Sequence, residues 1–357
     1  MNAGLLQAKR YPLADPEEAV EFYFQQGWTD GLPIVPPTPA RVERMLQGTG
    51  RDAAELIGLI PPNYGKATVE KIAINAVMAG CLPTYLPVVI SAVQAIIDPQ
   101  FNLHGVQATT GPHSPLCIVN GPIRRTLEIN GGPNVFGPGW RANSTIGRAV
   151  KLIMLNLGGA KPGEIDKSTL GHPGKYTFCI AENEEESPWE PFHVEHGFAP
   201  NVSTITMVAA ESPLAISDTT SRSARDVVTT MGASLAVAWN ARMYLRGQSL
   251  LVIGPEHAMT IARDGWSKAD IKRFLYENLR KPLRELLSGP EWELGMSRQT
   301  LPAWLDTHND HTLVPKFLSP EEILIVVAGG TAGTHSACLS GWGSGFTSRM
   351  VIKPIEV

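Results

Sequence analysis

Apolar positions in this chain come in short β-type runs, each stopped by small turn-forming residues, alternating with stretches of helical period. The runs at 116–119, 204–209, 250–253 and 323–327 are the clearest. Three of them stop alike, as Val119-Asn-Gly-Pro, Ile253-Gly-Pro-Glu-His and Val327-Ala-Gly-Gly. Further strands are expected at 103–108, 176–181 and 350–355. Helices are expected at 15–26, 38–46, 66–78, 86–97, 143–155 and 267–287, from apolar spacing and from start signals such as Asp15-Pro and Ser267 with Asp270. Strands that turn on glycine and feed helices describe open sheets, with ligands gathered at the strands' carboxyl ends. The expected fold class is therefore α/β: two interlocked lobes with mixed sheets flanked by helices, and a cleft at the strand exits. The division suggested is an N-terminal helix and proline-rich arm (1–65), a first lobe (66–200) and a second lobe with a glycine-rich C-terminal loop (201–357).

Candidate chemistry concentrates in the glycine-rich segments. Residues 327–345 hold six glycines around His335 and Cys338, and glycine at that density meets a need for unusual backbone angles or close approach. Backbone N–H groups and a nearby imidazole favour a thiolate, so Cys338 is the candidate nucleophile and His335 its base. A second glycine loop, 131–139, leads into a helix through Arg141, Asn143 and Ser144, a setting for an anion. A third segment, 102–114, offers His104 and Thr109. Asn120 and Glu182 stand where strands end. In the proline-rich arm, Asp30 close to Trp28 makes that segment either a packed arm or an entry to a site. His193 and His196 with acidic neighbours suggest a divalent metal, although their spacing matches no zinc signature. The cofactor is left unknown.

Composition narrows the class. With 357 residues, 43% hydrophobic, 18% charged and a net charge of −4, the chain reads as a globular protein with a large core. No basic run marks a nucleic-acid partner, and no apolar stretch is of membrane-spanning length. Four scattered cysteines without a Cys-x-x-Cys pair argue against a disulfide framework, and the expected location is cytoplasmic, with reduced thiols.

Three segments carry a resemblance: Gly27-Trp-Thr-Asp-Gly-Leu-Pro-Ile-Val-Pro-Pro-Thr38, Asn75-Ala-Val-Met-Ala-Gly-Cys81 and Gly171-His-Pro-Gly-Lys-Tyr-Thr-Phe-Cys-Ile-Ala-Glu-Asn183. They resemble a bacterial family associated with the UGSC-motif (seleno)proteins, as their partner or fused half, over most of residues 17–300. The UGSC group is itself similar to the selenoprotein subunit of glycine reductase. This chain has no UGSC run, so the resemblance implies the half without the redox motif, in a hetero-oligomer. The expectation is an enzyme or enzyme subunit acting on a small carboxylate or carbonyl compound by thiol chemistry, with a partner subunit and oligomeric assembly. The alternatives are a metal-dependent lyase or hydratase using His193 and His196, and a non-catalytic scaffold of a redox complex.

Overall fold

Strand formation follows the β-branched runs, and helix ends follow their caps. The structure, a computed structural model, describes residues 6–13, 15–245, 247–287, 301–344 and 346–356. It is an α/β fold with parallel and antiparallel pairing. The chain forms two compact units and passes between them repeatedly: unit 1 is Met1–Glu182, His193–Ala209 and Ser348–Val357, and unit 2 is Asn183–Phe192 and Ala210–Thr347. The N-terminal arm belongs to unit 1 and is not a division of its own.

Unit 1 opens with helices α1 (Pro16–Gln25) and α2 (Pro39–Leu46), then a hairpin of β1 (Leu56–Ile60) and β2 (Gly65–Thr68). Asp15 caps α1 by accepting from the Glu18 amide at 2.8 Å. Helices α3 (Val69–Ala79), α4 (Leu86–Ile96) and α7 (Arg141–Asn156) pack on one another, with α5 (Leu103–Ala108) and α6 (Ile123–Thr126) between them in sequence. Gly80 ends α3 in the left-handed conformation, at φ 90°, where a side chain would be strained. The sheet runs β14 (Val351–Pro354), β5 (Thr204–Ala210), β3 (Ser114–Asn120), β4 (Cys179–Ala181), with β3 and β4 parallel. Every residue of β3, β4 and β5 is buried, as expected of strands covered on both faces. The short helix α8 is Phe192–Glu195.

Unit 2 is built on a sheet ordered β10 (Ile323–Val327), β7 (Ser249–Ile253), β11 (His335–Ser340), β6 (Leu214–Ser217). The pair β10–β7 is parallel and β11 runs antiparallel to both its neighbours. Helices α9 (Ala224–Val237), α10 (Pro255–Arg263) and α11 (Lys268–Asn278) accompany this sheet, and a core of Val228, Met231, Leu251, Ile271 and Ile325 forms there. Helix α12 (Leu283–Leu286) and two short antiparallel pairs complete the unit: β8 (Arg280–Pro282) with β9 (Leu313–Pro315), and β12 (Gly343–Ser344) with β13 (Phe346–Thr347).

Several expectations change. Residues 103–108 are helix, because Asn102 at φ 53° caps them by accepting from the Gly105 amide. The helix from 267 keeps its capping box but stops at Asn278, where Leu279 leads into β8 and Pro282 bars a continuous helix. Helix α7 starts at Arg141, two residues early. Only 179–181 of the expected strand at 176–181 is extended. The hairpin β1–β2, β6 and α9 are additions to the expected elements. Most consequentially, the glycine loop ends at Thr334, and 335–340 is a central strand; Gly345 lies outside the described residues.

Candidate active site

Cys338 and His335, expected to act as nucleophile and base, are not placed to do so. Cys338 is fully buried in β11 and packs into the unit 2 core with Leu251 and Ile253. Burial pushes its thiol up to about 11, against the lowering that thiolate chemistry needs. His335 is three positions away on the same strand, an odd separation that puts the two side chains on opposite faces. It cannot serve as the base for Cys338.

Arg141 is exposed and spends its guanidinium on the Gly80 carbonyl, at 3.0 and 3.3 Å, closing the end of α3. Asn143 is buried and stitches the 130 loop to β4: its amide donates to the carbonyls of Asn130 (2.9 Å) and Cys179 (3.0 Å) and accepts from the Asn130 amide. The Ser144 carbonyl accepts from the Thr177 hydroxyl at 2.8 Å. These groups brace the helix rather than collect an anion. Thr109 closes a turn by accepting from Gly111, and His104 sits exposed on α5. Asn120 and Glu182 do meet, at 2.5 Å, fully buried at the exits of β3 and β4.

His193 is fully buried, and His196 forms a turn with it through their backbones. Among the described residues no group of three or more His, Cys, Asp or Glu side chains is placed to hold a metal ion. The strand exits also divide: Asn120 belongs to the unit 1 sheet, Gly254 and Gly329 follow strands of the unit 2 sheet. The premise of one sheet gathering all three exits is therefore incorrect.

Unit 1 instead holds a cavity of about 660 Å³ at the opposite, amino ends of β3 and β4. From Ser114 to Asn120 is about 20 Å along an extended strand. The cavity is lined by Thr29, Asp30 and Gly31 from the proline-rich arm, by Lys151, Met154 and Leu155 from α7, and by residues of the 160–176 loop. Lys151 is its chemical centre. The amine donates to the Ser114 hydroxyl at 3.0 Å, and that hydroxyl donates onward to the Gly174 carbonyl at 2.9 Å. Burial first, and then the positive charge of Lys175, push the Lys151 amine down to about 7, with Asp166 and Cys117 pulling the other way. A large fraction of the amine is thus uncharged near neutral pH, the condition for a nucleophilic or basic lysine.

The charged groups around that amine are paired with one another. Asp166 pairs with Lys175 at 2.7 Å. Asp30 takes Arg148 bidentately, both contacts at 2.8 Å, and Arg148 also reaches the carbonyls of Leu32 and Pro33. The arm is thereby pinned to α7. His172 accepts from the Gly174 amide and lies edge-on to Phe178. Gly147, one turn before Lys151, lets α7 close on the segment before β4: a Cβ there would stand 2.6 Å from the Phe178 nitrogen. Asp30, His172 and Lys175 stand in segments the sequence singles out, but sequence reasoning missed Lys151 and Ser114 as a pair. The available signal was a lysine inside Ala149-Val-Lys-Leu-Ile-Met154, an otherwise apolar run in a helix.

A lysine beside a serine also occurs in hydrolases, where the serine attacks. Here Ser114 is fully buried, gives its hydrogen to Gly174 and does not line the cavity, whereas Lys151 does. The reactive group facing the cavity is the amine. In unit 2, His257 and Ser336 meet at 2.8 Å, but both are buried and the other ring nitrogen of His257 faces the Asp218 carbonyl at 3.2 Å. That pair ties α10 to β11. Comparison with protein-family models, with curated proteins and with solved structures found no match for this chain.

Proposed function

We propose that the protein is an enzyme, or an enzyme subunit, in which Lys151 forms a Schiff base with a small carbonyl compound bound in the unit 1 cavity. The observation that carries this reading is the part-buried Lys151 amine, beside Lys175 and oriented by Ser114 at the cavity wall. The uncharged amine attacks the carbonyl carbon and the new N–C bond forms. The carbonyl oxygen then leaves as water with the two amine hydrogens, and protonation of the imine gives an iminium. That cation draws electrons from a neighbouring C–C or C–H bond, which is lyase or proton-transfer chemistry. The substrate class keeps the carbonyl half of the expectation from sequence. The working group moves from a thiol to an amine, because the thiol is buried and harder to ionise than usual. Where the chain works in a larger assembly, as the resemblance to UGSC-associated proteins implies, this step is the part we assign to it.

Borohydride trapping tests the reading. The protein is incubated with small aldehydes, ketones and oxo acids, reduced, digested and read by mass spectrometry. The expected result is a reduced adduct on the peptide holding Lys151, absent in Lys151→Met. Adducts spread over surface lysines, with no enrichment at Lys151, would sink it.

A further inference from the structure

The charges around the cavity constrain the substrate as well as the amine, provided that the Schiff-base reading of Lys151 holds. The acids that line the cavity are Asp30 and Asp166, and each is already matched, Asp30 by the bidentate Arg148 and Asp166 by Lys175 at 2.7 Å. Lys151 pairs with neither; its hydrogen bond goes to the neutral Ser114 hydroxyl. With the amine uncharged and the lining imidazoles of His113 and His172 counted as neutral, these groups sum to zero. When an iminium forms on Lys151 the cavity carries one positive charge, in a place where burial makes an unmatched charge costly. A substrate that brings one negative charge next to its carbonyl cancels it. A neutral ketone leaves it unmatched, and a dianion overshoots.

The remaining wall is largely apolar, although Thr29, Gln107, His113, Ser168, His172 and Tyr176 also line it. Val106, Met154, Leu155, Ala160, Leu170 and Pro173 line it, and a volume of about 660 Å³ falls in the range that takes ligands well beyond three carbons. We infer that the cavity selects a mono-anionic 2-oxo acid with an apolar side chain.

The test uses three probes of similar reach: 4-methyl-2-oxopentanoate, the neutral 4-methyl-2-pentanone, and the dianionic 2-oxoglutarate. Each is trapped on the full chain with borohydride, and labelling of Lys151 is divided by labelling of a free lysine derivative, which removes intrinsic carbonyl reactivity. The mono-anion is expected to lead by about tenfold or more, since a unit charge at contact in a part-buried site is worth at least that. Asp166→Asn frees the Lys175 charge and is expected to move the preference towards 2-oxoglutarate. Lys175→Met leaves Asp166 unmatched and is expected to move it towards the neutral ketone. Equal labelling by ketone and oxo acid in the parent protein, or an unchanged preference in both variants, overturns the charge argument while leaving Lys151 as the nucleophile. Labelling of Lys151 by none of the three overturns the Schiff-base reading and this inference with it.

Discussion

The Lys151 amine lies 3.0 Å from the Ser114 hydroxyl, and Ser114 passes its own hydrogen to the Gly174 carbonyl. The hydroxyl is thereby fixed as an acceptor, and the amine is aimed without being given an anion to pair with. This arrangement has a cost that depends on pH. The folded-state pKa of Lys151 is depressed to about 7, whereas an unfolded lysine titrates near 10.4. Between those values the unfolded chain binds one proton more than the folded one, so stability rises with pH across the window. Below pH 7 the penalty is present in full. Lys151→Met removes it. The variant is expected to melt higher than the parent at pH 6.5, and the gap is expected to shrink by several degrees towards pH 10, since one group contributes at most about 1.4 kcal/mol per pH unit. Lys316, depressed to about 8, titrates in both proteins and cancels in the comparison. Thermal unfolding scans at several pH values check this; a gap independent of pH would contradict it.

The cysteines should be silent. All four are buried, and burial pushes Cys81 up to about 12 and Cys338 up to about 11. Iodoacetamide at pH 8 is expected to leave the native protein unmodified within the time that alkylates every cysteine of the denatured chain. Rapid alkylation of Cys338 in folded protein would return the thiol to consideration.

Gly147→Ala is expected to damage the site from a distance. The added methyl meets the Phe178 nitrogen at 2.6 Å, so either α7 or the segment before β4 must shift. Overpacking of this kind costs roughly 1–3 kcal/mol. Because Lys151 lies one turn further along α7, the variant is also expected to lose trapping at Lys151 more than it loses stability. A variant with lower melting temperature and undiminished trapping would show that the Lys151–Ser114 geometry does not depend on this contact.

The architecture is legible in the sequence where local signals are strong: the Asp15 cap, the Ser267–Asp270 capping box and the fully apolar runs at β3, β7 and β10 all form as their residues suggest. The segment from His335 to Ser340 is not legible as strand, because His335, Ser336 and Ser340 leave it only a short apolar run, Ala337 to Leu339. It is held by pairing with β6 and β7 on both sides, which no local pattern reveals. The site escapes sequence reading for a related reason. Glycine density marks a loop at 329–334, whereas the reactive amine sits in a regular helix. It becomes visible only when Ser114, Lys175 and Asp166, distant in sequence, are brought around it. Asp30 stands out in the arm and lines the cavity, but its partner, 118 positions away, cannot be read from the arm.

The central claim is that Lys151 titrates near neutral pH, so that a large fraction of its amine is uncharged there, and its titration tests this most directly. Competitive labelling with trace acetic anhydride over pH 5–11, resolved by peptide mass spectrometry, gives the reactivity of each lysine against pH. The account predicts an inflection for Lys151 near 7, and reactivity at pH 7.5 well above that of the surface lysines. An inflection near 10, in line with an ordinary lysine, would contradict it.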